Sequence, residues 1–228
     1  MTVSINQPAY LPWLGYFDRI YKSDIYVVLD SVQFEKNSVT NRNKIRTKDG
    51  WAWLTVPLHT KGKFGDLSIN KIEIFNQTNW QKKHWEQIKQ NYSKAPYFKD
   101  HRSFFESLYS KQWETLQQIN THILDYLINE LGIKTKIMYA SLLNIEGTKA
   151  ELVLNICKHL NATSYLSGPF GRDYLDEKIF GQSNIKIQYH DYNHPQYQQN
   201  FPNFEPYMST IDLLFNYGKK SIDILSNS

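Results

Sequence analysis

The chain has 228 residues, enough to bury a core without a covalent staple, and its single cysteine excludes an internal disulfide. The net charge is +4, from 26 basic and 22 acidic residues that are dispersed along the sequence, whereas nucleic-acid-binding proteins usually concentrate their cations on one face. The sequence shows neither a secretory signal pattern nor an apolar run of about 18 residues, so we expect a cytoplasmic protein that makes no membrane contact.

The beginning of the chain has the order of a βαβ unit. A short apolar run at residues 3–5 predicts a strand, and Pro8 and Pro12 prevent a helix from starting before about Trp13. Apolar residues at helical spacing follow, and a second apolar run at 25–29 predicts another strand. Loops at the carboxyl ends of such strands are where α/β proteins bind ligands.

The two predicted carboxyl ends carry polar side chains. Asn6, Gln7 and Tyr10 follow the first strand, and Asp30 and Gln33 follow the second. We therefore take all five as candidate site residues. Asp30 and Tyr10 are candidates for catalysis and for orienting a substrate, while the three amide side chains are candidates for binding it.

The loop at residues 7–16 occupies the position where nucleotide-binding α/β domains place a phosphate-binding turn. Gly15 allows a ligand to approach the backbone closely, and the helix N-terminus that follows offers unpaired amides to an anion. Tyr16 is a further candidate for substrate binding. Tight packing of a proline-rich turn explains the same residues, and the loop alone does not decide between the two explanations.

Residues 32–57 change to extended character. Two short alternating segments flank Lys48-Asp49-Gly50, and an Asp-Gly pair in this setting predicts a β-hairpin. Four cations lie within residues 41–48, which favours either an anion-binding strand or a solvated one. The candidate binding residues of this segment are Asn41, Arg42, Asn43 and Lys44. Residues 60–67 predict a mobile polar loop, and the alternation at 68–75 predicts one more strand.

The pattern at about 78–132 is helical. Thr78 is a suitable N-cap for a first helix that ends before Pro96, a second helix is expected at about 97–109, and a third ends at Gly132. This block interrupts the alternation of strands and helices. We expect it to form a helical insertion in, or a lid over, a single α/β domain that comprises residues 1–228.

Strands and helices alternate again after the block. Strands are expected at 136–140, 163–167 and 185–190, and helices at 149–160, 172–180 and 209–217. Strands that alternate with helices of this length favour a mainly parallel sheet with flanking helices and right-handed crossovers. The predicted class is therefore α/β and Rossmann-like, with a β-hairpin insertion.

A second glycine-rich turn follows the strand at 163–167. Like the first loop, this turn joins a strand end to a predicted helix start. It also includes a cation, Arg172, so it could hold a phosphate or diphosphate. An ordinary surface loop with an exposed arginine is the alternative. The candidate binding residues of this turn are Ser167, Gly168, Gly171, Arg172 and Tyr174.

Two histidines lie near the end of the strand at 185–190: His190 is its last residue, and His194 follows four residues later. Pro195 and the preceding strand argue against a helical metal-binding pair, so we predict no metal site. Histidine is suited to deprotonating an amine or hydroxyl, and His190, beside Asp191 or Tyr192, is the candidate general base. His194 is a candidate for substrate binding, although both histidines could simply belong to a polar loop.

The sequence resembles the WbqC-like protein family along nearly its whole length. The matching motifs are Asn6-Gln7-Pro8-x-Tyr10-x-Pro12-x-x-Gly15-Tyr16-Phe17, Asp24-x-Tyr26-Val27-x-Leu29-Asp30-x-Val32-Gln33-Phe34, Asn41-Arg42-Asn43-x-Ile45, Trp53-Leu54-Thr55-Val56-Pro57, Tyr165-Leu166-Ser167-Gly168 with Tyr174-Leu175, and Ser209-x-x-Asp212-Leu213-Leu214-Phe215-Asn216-x-Gly218.

The resemblance implies a role in bacterial O-antigen or other surface-polysaccharide synthesis. It implies transfer of glycine, or a similar aminoacyl or acyl group, to a nucleotide-linked amino sugar with formation of an amide. The donor would be an activated acyl or aminoacyl compound, with ATP as a further option. A charged transfer RNA is another option as donor, and the feature that favours it is not the resemblance but the basic segment at 41–48. The resemblance implies neither a particular sugar nor an oligomeric state.

The opening βαβ unit is also similar to nucleotidylyltransferase domains, which use His-x-Gly-His at the helix start. Here the corresponding residues are Trp13-Leu14-Gly15-Tyr16, so both histidines are missing. The departure argues against adenylate chemistry by that route but not against the architecture. A nucleotidylyltransferase-like enzyme or ATP-dependent amide ligase, and a non-catalytic sugar-nucleotide-binding protein, are the alternatives to an amide-forming transferase.

Overall fold

A computed structural model of the chain describes residues 1–60, 62 and 67–227. Most of the polar loop predicted at 60–67 therefore lies outside the described residues. Among the described residues, five strands form one parallel sheet and two form a separate antiparallel ribbon. The strands are β1 (Thr2–Asn6), β2 (Ile25–Val28), β3 (Arg42–Thr47), β4 (Gly50–Thr55), β5 (Lys136–Tyr139), β6 (Ser164–Ser167) and β7 (Lys186–Tyr189).

The α-helices connect or follow these strands. They are α1 (Leu14–Tyr21), α2 (Trp80–Tyr92), α3 (Phe98–Ser110), α4 (Leu116–Glu130), α5 (Lys149–His159), α6 (Glu177–Gln182), α7 (Thr210–Tyr217) and α8 (Ser221–Ser226). Three helix ends are defined by characteristic capping residues. Thr115 forms a capping box with Gln118 at the start of α4, Gly132 follows its end with a φ of 66°, and Ser209 caps α7.

The parallel sheet has the strand order β5-β2-β1-β6-β7. Strand β1 therefore lies at the centre, where the chain order reverses: β2 and β5 extend the sheet on one side, and β6 and β7 on the other. In open α/β sheets this reversal leaves a crevice outside the carboxyl ends of the two strands concerned. The α/β class with a parallel sheet and a β-hairpin is confirmed, and the crevice lies between β1 and β6.

Both faces of the sheet are buried. Tyr26 and Val28 of β2 belong to one apolar cluster, while Val27 points the other way into a second cluster with α5 and α6. The first cluster also contains buried residues of α1, α7 and the helical block α2–α4. The block thus shares one core with the sheet, and its role as a lid stays a prediction.

Two local predictions were wrong. The segment 68–75 is not a strand but a short 3-10 helix (Ile69–Lys71) with isolated bridges, because Ile69 and Ile72 enter the same core one helical turn apart. The helix predicted at 172–180 is split into a 3-10 helix (Pro169–Asp173) and α6. The split occurs because the Asp176 carboxylate accepts hydrogen bonds from the first amides of α6.

Candidate functional site

The helix that follows β1 carries two charges into the protein interior. All residues from Leu14 to Ile20 are buried, including Asp18 and Arg19, whose exposed fractions are 0% and 7%. Buried charges are costly unless they are paired or serve a ligand. The partners of these two side chains therefore define the chemistry beside β1.

Arg19 forms no ion pair with any residue in the described part of the chain. One terminal nitrogen, Nη2, donates to the Ile5 carbonyl at 2.8 Å, and the buried Nε makes no hydrogen bond there. The other nitrogen, Nη1, lies so close to Gly168 that an added Cβ would stand 2.5 Å from it. The guanidinium thus lies between the carboxyl ends of β1 and β6, with hydrogen-bonding capacity left for an anion.

Asp18 is paired with the histidine at the end of β7. The Nε2–H of His190 donates to the Asp18 carboxylate at 2.5 Å, and the same carboxylate accepts from Lys22 at 2.8 Å. The His190 amide donates to the Ser167 carbonyl, which fixes the backbone on the other side. Because Nε2 faces the carboxylate and Nδ1 makes no hydrogen bond within the described residues, Nδ1 is the atom left to accept a proton.

These groups meet at a cavity of about 380 Å³. A volume of this size suits a small-molecule ligand. Its lining comes from the end of β1, from α1 and the residue before it, from the turn after β6 and from the segment that follows β7. The lining residues are Asn6, Trp13, Gly15, Tyr16, Arg19, Pro169, His190, Asp191, Tyr192, Asn193 and Tyr207.

One wall of the cavity is aromatic. The ring of Trp13 contacts Tyr192 and Tyr207 edge to face, at centroid distances of 5.2 and 5.6 Å. The Trp13 indole also lies directly over Gly15, where any side chain would collide with it. Gly15 therefore serves tight packing here as well as lining the cavity. Flat rings with polar edges suit a sugar or a nucleobase.

The structure brings together the two loops that the sequence singled out, because β1 and β6 are parallel neighbours. Asn6, Gly15, Tyr16 and His190 line the cavity, and Gly168 contacts the arginine beside it. Burial raises the pKa of Tyr16 well above its ordinary value, so its phenol stays neutral.

Tyr10, Asp30 and Gln33 are among the candidates that lie outside this cavity. The Tyr10 hydroxyl is fully buried and bonded to His84 and Tyr109, at 2.9 and 2.7 Å. The Asp30 carboxylate accepts hydrogen bonds from the amide and hydroxyl of Ser141. Gln33 accepts from the amide of residue 67. These contacts hold loops and helices in place, and any catalytic or binding role of the three stays a prediction.

The hairpin candidates occupy a different part of the molecule. Asn41 and Asn43 donate to the backbone carbonyls of Val56 and Leu11. Arg42 and Lys44 lie over tryptophan rings of the facing strand. Asn41 and Arg42 line a separate cavity of about 260 Å³.

The remaining candidates surround the turn after β6 and the segment after β7. Arg172 is paired in a bidentate manner with Asp191, at 2.7 and 2.9 Å, so Asp18 and not Asp191 is the carboxylate that holds His190. The other candidates are half-buried, exposed or packed on neighbouring side chains: Gln7, Ser167, Gly171, Tyr174 and His194. Of these, His194 packs on the aromatic wall, 5.2 Å from Tyr207 between ring centroids.

Sequence reasoning missed the central charges of the site, Asp18 and Arg19. The available signal was an acid and a base side by side between Phe17 and Ile20, inside an otherwise apolar helix. It also missed Trp13 and Tyr207 as cavity residues. Among the described residues, no group of three or more His, Cys, Asp or Glu side chains is arranged to hold a metal ion.

Fold and cavity define an α/β protein with a polar and aromatic pocket at the point where the order of a parallel sheet reverses. The WbqC-like protein family matches residues 7–224, and the chain belongs to this family. It is 36% identical over 225 residues to the uncharacterized protein Rv1507c of Mycobacterium tuberculosis. The alignment covers 98% of this chain and 96% of that protein. No solved structure matches the chain. In the part of the chain that the structure describes, no helix has the length and apolar character to span a bilayer.

Proposed function

We propose that the protein is a transferase of the cytoplasm that forms an amide on a nucleotide-linked amino sugar in surface-polysaccharide synthesis. The observation that carries this proposal is the placement at one cavity of the Asp18–His190 pair and of Arg19, which forms no ion pair with the described residues. A base and an anion-binding group side by side are what an amine substrate linked to a diphosphate requires.

Binding is assigned to the β1–α1 side of the cavity. The Arg19 guanidinium faces the phosphates, and the N-terminus of α1, which has no acidic residue in its first turn and no side-chain cap, adds favourable backbone dipoles. The aromatic wall of Trp13, Tyr192 and Tyr207 stacks on the sugar or the base. The Asn6 side chain offers a polar contact at the end of β1.

Chemistry is assigned to His190. The Asp18 carboxylate orients the imidazole and stabilises its protonated form, as in other carboxylate–histidine pairs. Nδ1 takes a proton from the sugar amine as the amine nitrogen attacks the activated carbonyl of the donor. The new C–N bond forms, the bond to the leaving group breaks, and the proton passes to the leaving group. The donor is an activated aminoacyl or acyl compound.

The test of this proposal is the variant His190→Ala. We expect it to bind a sugar nucleotide as the native protein does, while turnover falls by about 10²- to 10⁴-fold, the usual contribution of a general base. Binding is measured by calorimetry and turnover by mass spectrometry of the amide product. His159→Ala is the matched control, because His159 is exposed on α5, outside the cavity.

Unchanged turnover in His190→Ala would remove this residue from the mechanism. Release of AMP or pyrophosphate on incubation with ATP and an amino acid would instead favour an ATP-dependent ligase. A thermal-shift panel of sugar nucleotides that gives no response at millimolar concentration would overturn the proposal in favour of a scaffold role.

A further inference from the structure

The β3–β4 ribbon exposes two tryptophans and two cations on one face. Trp51 and Trp53 are 46% and 39% exposed, and their rings meet edge to face at 5.9 Å. The Arg42 guanidinium lies 4.4 Å from the Trp53 ring centroid, and the Lys44 ammonium lies 5.0 Å from that of Trp51. We call these four residues the tryptophan face.

The cations of this face have no acidic partner among the described residues. The Arg42 guanidinium donates to the backbone carbonyl of Asn37, and neither Arg42 nor Lys44 takes part in a salt bridge there. The cavity of about 260 Å³ adjoins Arg42 and is lined further by polar side chains such as Asn37 and Asn41. The face therefore combines exposed aromatic surface, two cations without an acidic partner in the described part of the chain, and an adjoining cleft of mixed polar and apolar lining.

We propose that the tryptophan face binds single-stranded RNA, and that this RNA carries the aminoacyl group that the protein transfers. Same-face residues on a strand repeat about every 6.8 Å, so the two cations form a row along β3 beside the row of two rings along β4, where Lys44 is paired with Trp53. A single strand of nucleic acid likewise carries a row of phosphates beside a row of bases, and its bases stack on aromatic rings without sequence preference. A neutral glycan would leave the two cations without a counter-charge.

The ribbon is joined directly to the cavity wall. The Ser209 amide donates to the Lys44 carbonyl at 2.8 Å, and the same residue forms a β-bridge with Trp13 of the aromatic wall. The Asn43 side chain also donates to the Leu11 carbonyl at 2.7 Å, in the loop that leads to Trp13. RNA held on the ribbon would therefore lie on an element in direct contact with the cavity wall.

This inference rests on the proposed function, because it names its donor. The aminoacyl group would be attached to the terminal ribose of the RNA as an ester. The sugar amine attacks the ester carbonyl, a C–N bond forms, and the ester C–O bond breaks. The proton that His190 takes from the amine passes to the ribose hydroxyl that leaves, so the step needs no oxidant, reductant or further reactant.

The experiment measures fluorescence anisotropy of a labelled single-stranded RNA of about 12 nucleotides that ends in CCA, at several salt concentrations. The native protein is expected to bind it, and Trp51→Ala with Trp53→Ala is expected to weaken binding at least tenfold. Trp51→Phe with Trp53→Phe keeps flat rings and should retain most of the affinity. Arg42→Gln with Lys44→Gln should reduce the salt slope by about 1.4.

Lys111→Gln is the matched control, because Lys111 also lies over a tryptophan, Trp113, at 4.4 Å but outside the ribbon. Absence of RNA binding, or equal binding by the alanine pair, would overturn the inference. So would tighter binding of a glycan, or conversion of a native dimer to a monomer by the alanine pair. Amide formation only from a donor without RNA would refute RNA as the donor and leave the proposed function standing, whereas RNA binding with no amide formed from any donor would refute the proposed function and leave only the RNA-binding surface.

Discussion

Two buried histidines in this protein have opposite surroundings. His84 of α2 is 5% exposed and its Nδ1 accepts a hydrogen bond from the Tyr10 hydroxyl, among the rings of Trp80 and Tyr109. His190 is 8% exposed, is paired with a carboxylate, and lies at a cavity. Similar exposure therefore does not mean similar chemistry.

The two histidines differ in the charge of the groups that contact them. The surroundings of His84 are neutral hydroxyls and rings, and burial lowers its pKa to about 4, so it stays uncharged in a packed core. The surroundings of His190 supply an anion on one nitrogen and leave the other nitrogen unbonded by the described residues. One histidine serves packing, and we assign the other to proton transfer.

The largest expected effect comes from Asp18→Asn. This variant removes the negative charge that makes the surroundings of His190 different from those of His84. Without the carboxylate the imidazole loses both its orientation and the stabilisation of its protonated form, and we expect turnover to fall by about 10³-fold. The dissociation constant for the sugar nucleotide should stay unchanged, because binding is assigned to other residues. Steady-state kinetics and calorimetry measure the two quantities.

The control for this variant is Lys22→Gln. Lys22 is the other partner of the Asp18 carboxylate, but its side chain is 41% exposed and it does not line the cavity. We expect its loss to change turnover less than threefold, since exposed partners contribute little. If Lys22→Gln reduced turnover as strongly as Asp18→Asn, the general fold of α1, and not His190, would explain both results.

The second expected effect concerns stability and His84. Its pKa is lowered from 6.5 to about 4 by burial, so the unfolded chain binds more protons than the folded one between these values. The contribution of neutral His84 to the free energy of unfolding is therefore fully present above pH 6.5. It is lost as the pH falls towards 4, and the loss amounts to about 3 kcal/mol at most. Urea unfolding of the native protein and of His84→Gln at pH 7 and pH 4.5 measures this contribution.

The glutamine variant should lose less stability between the two pH values than the native protein. A parallel loss in both proteins would mean that His84 is not the titrating group. His190→Ala, measured in the same way, separates the effect of a core histidine from that of a histidine at the cavity.

The smallest expected effect concerns Arg19, whose replacement should weaken ligand binding while it leaves the stability of the fold nearly unchanged. Replacement by methionine should weaken sugar-nucleotide binding at least tenfold, because the phosphates lose a charged donor. Stability should change by only about 1 kcal/mol, since a buried charge without an acidic partner is not a stabilising element. Thermal unfolding without ligand and calorimetry with ligand give the two values.

Gly168→Ala provides a milder version of the same test. Its backbone φ of −67° and ψ of 167° suit alanine, and the new Cβ would meet only the flexible end of Arg19 at 2.5 Å. We expect binding to weaken a few-fold with stability preserved. Wild-type affinity in both Arg19→Met and Gly168→Ala would exclude Arg19 as the phosphate-binding group.

Much of the fold was predictable because its signals are local. The strands β1, β2, β5, β6 and β7 are short apolar runs between turn residues, and the helices show regular apolar spacing, so the parallel sheet follows from the sequence. The segment 68–75 was mispredicted because alternation in sequence does not reveal whether a neighbouring strand exists. Ile69 and Ile72 instead fill the core as parts of a short helix.

The site was predictable only in part. The two loops were found because strand ends and glycine-rich turns are visible in sequence, and His190 because histidine is chemically distinctive. Asp18 and Arg19 resemble solvent-facing residues of an amphipathic helix. Their burial arises only when segments more than 140 residues away pack over α1, as the contacts of His190 and Gly168 demonstrate. Such enclosure has no local signature.

The central position of β1 has a consequence for how the molecule folds. Its neighbour β6 is 162 residues away along the chain, and the Asp18–His190 hydrogen bond spans 172 residues. Contacts between such distant segments close large loops, which makes them entropically costly and slow to form. We therefore expect the pocket to form late in folding, and no fragment that lacks either β1 or β7 contains it.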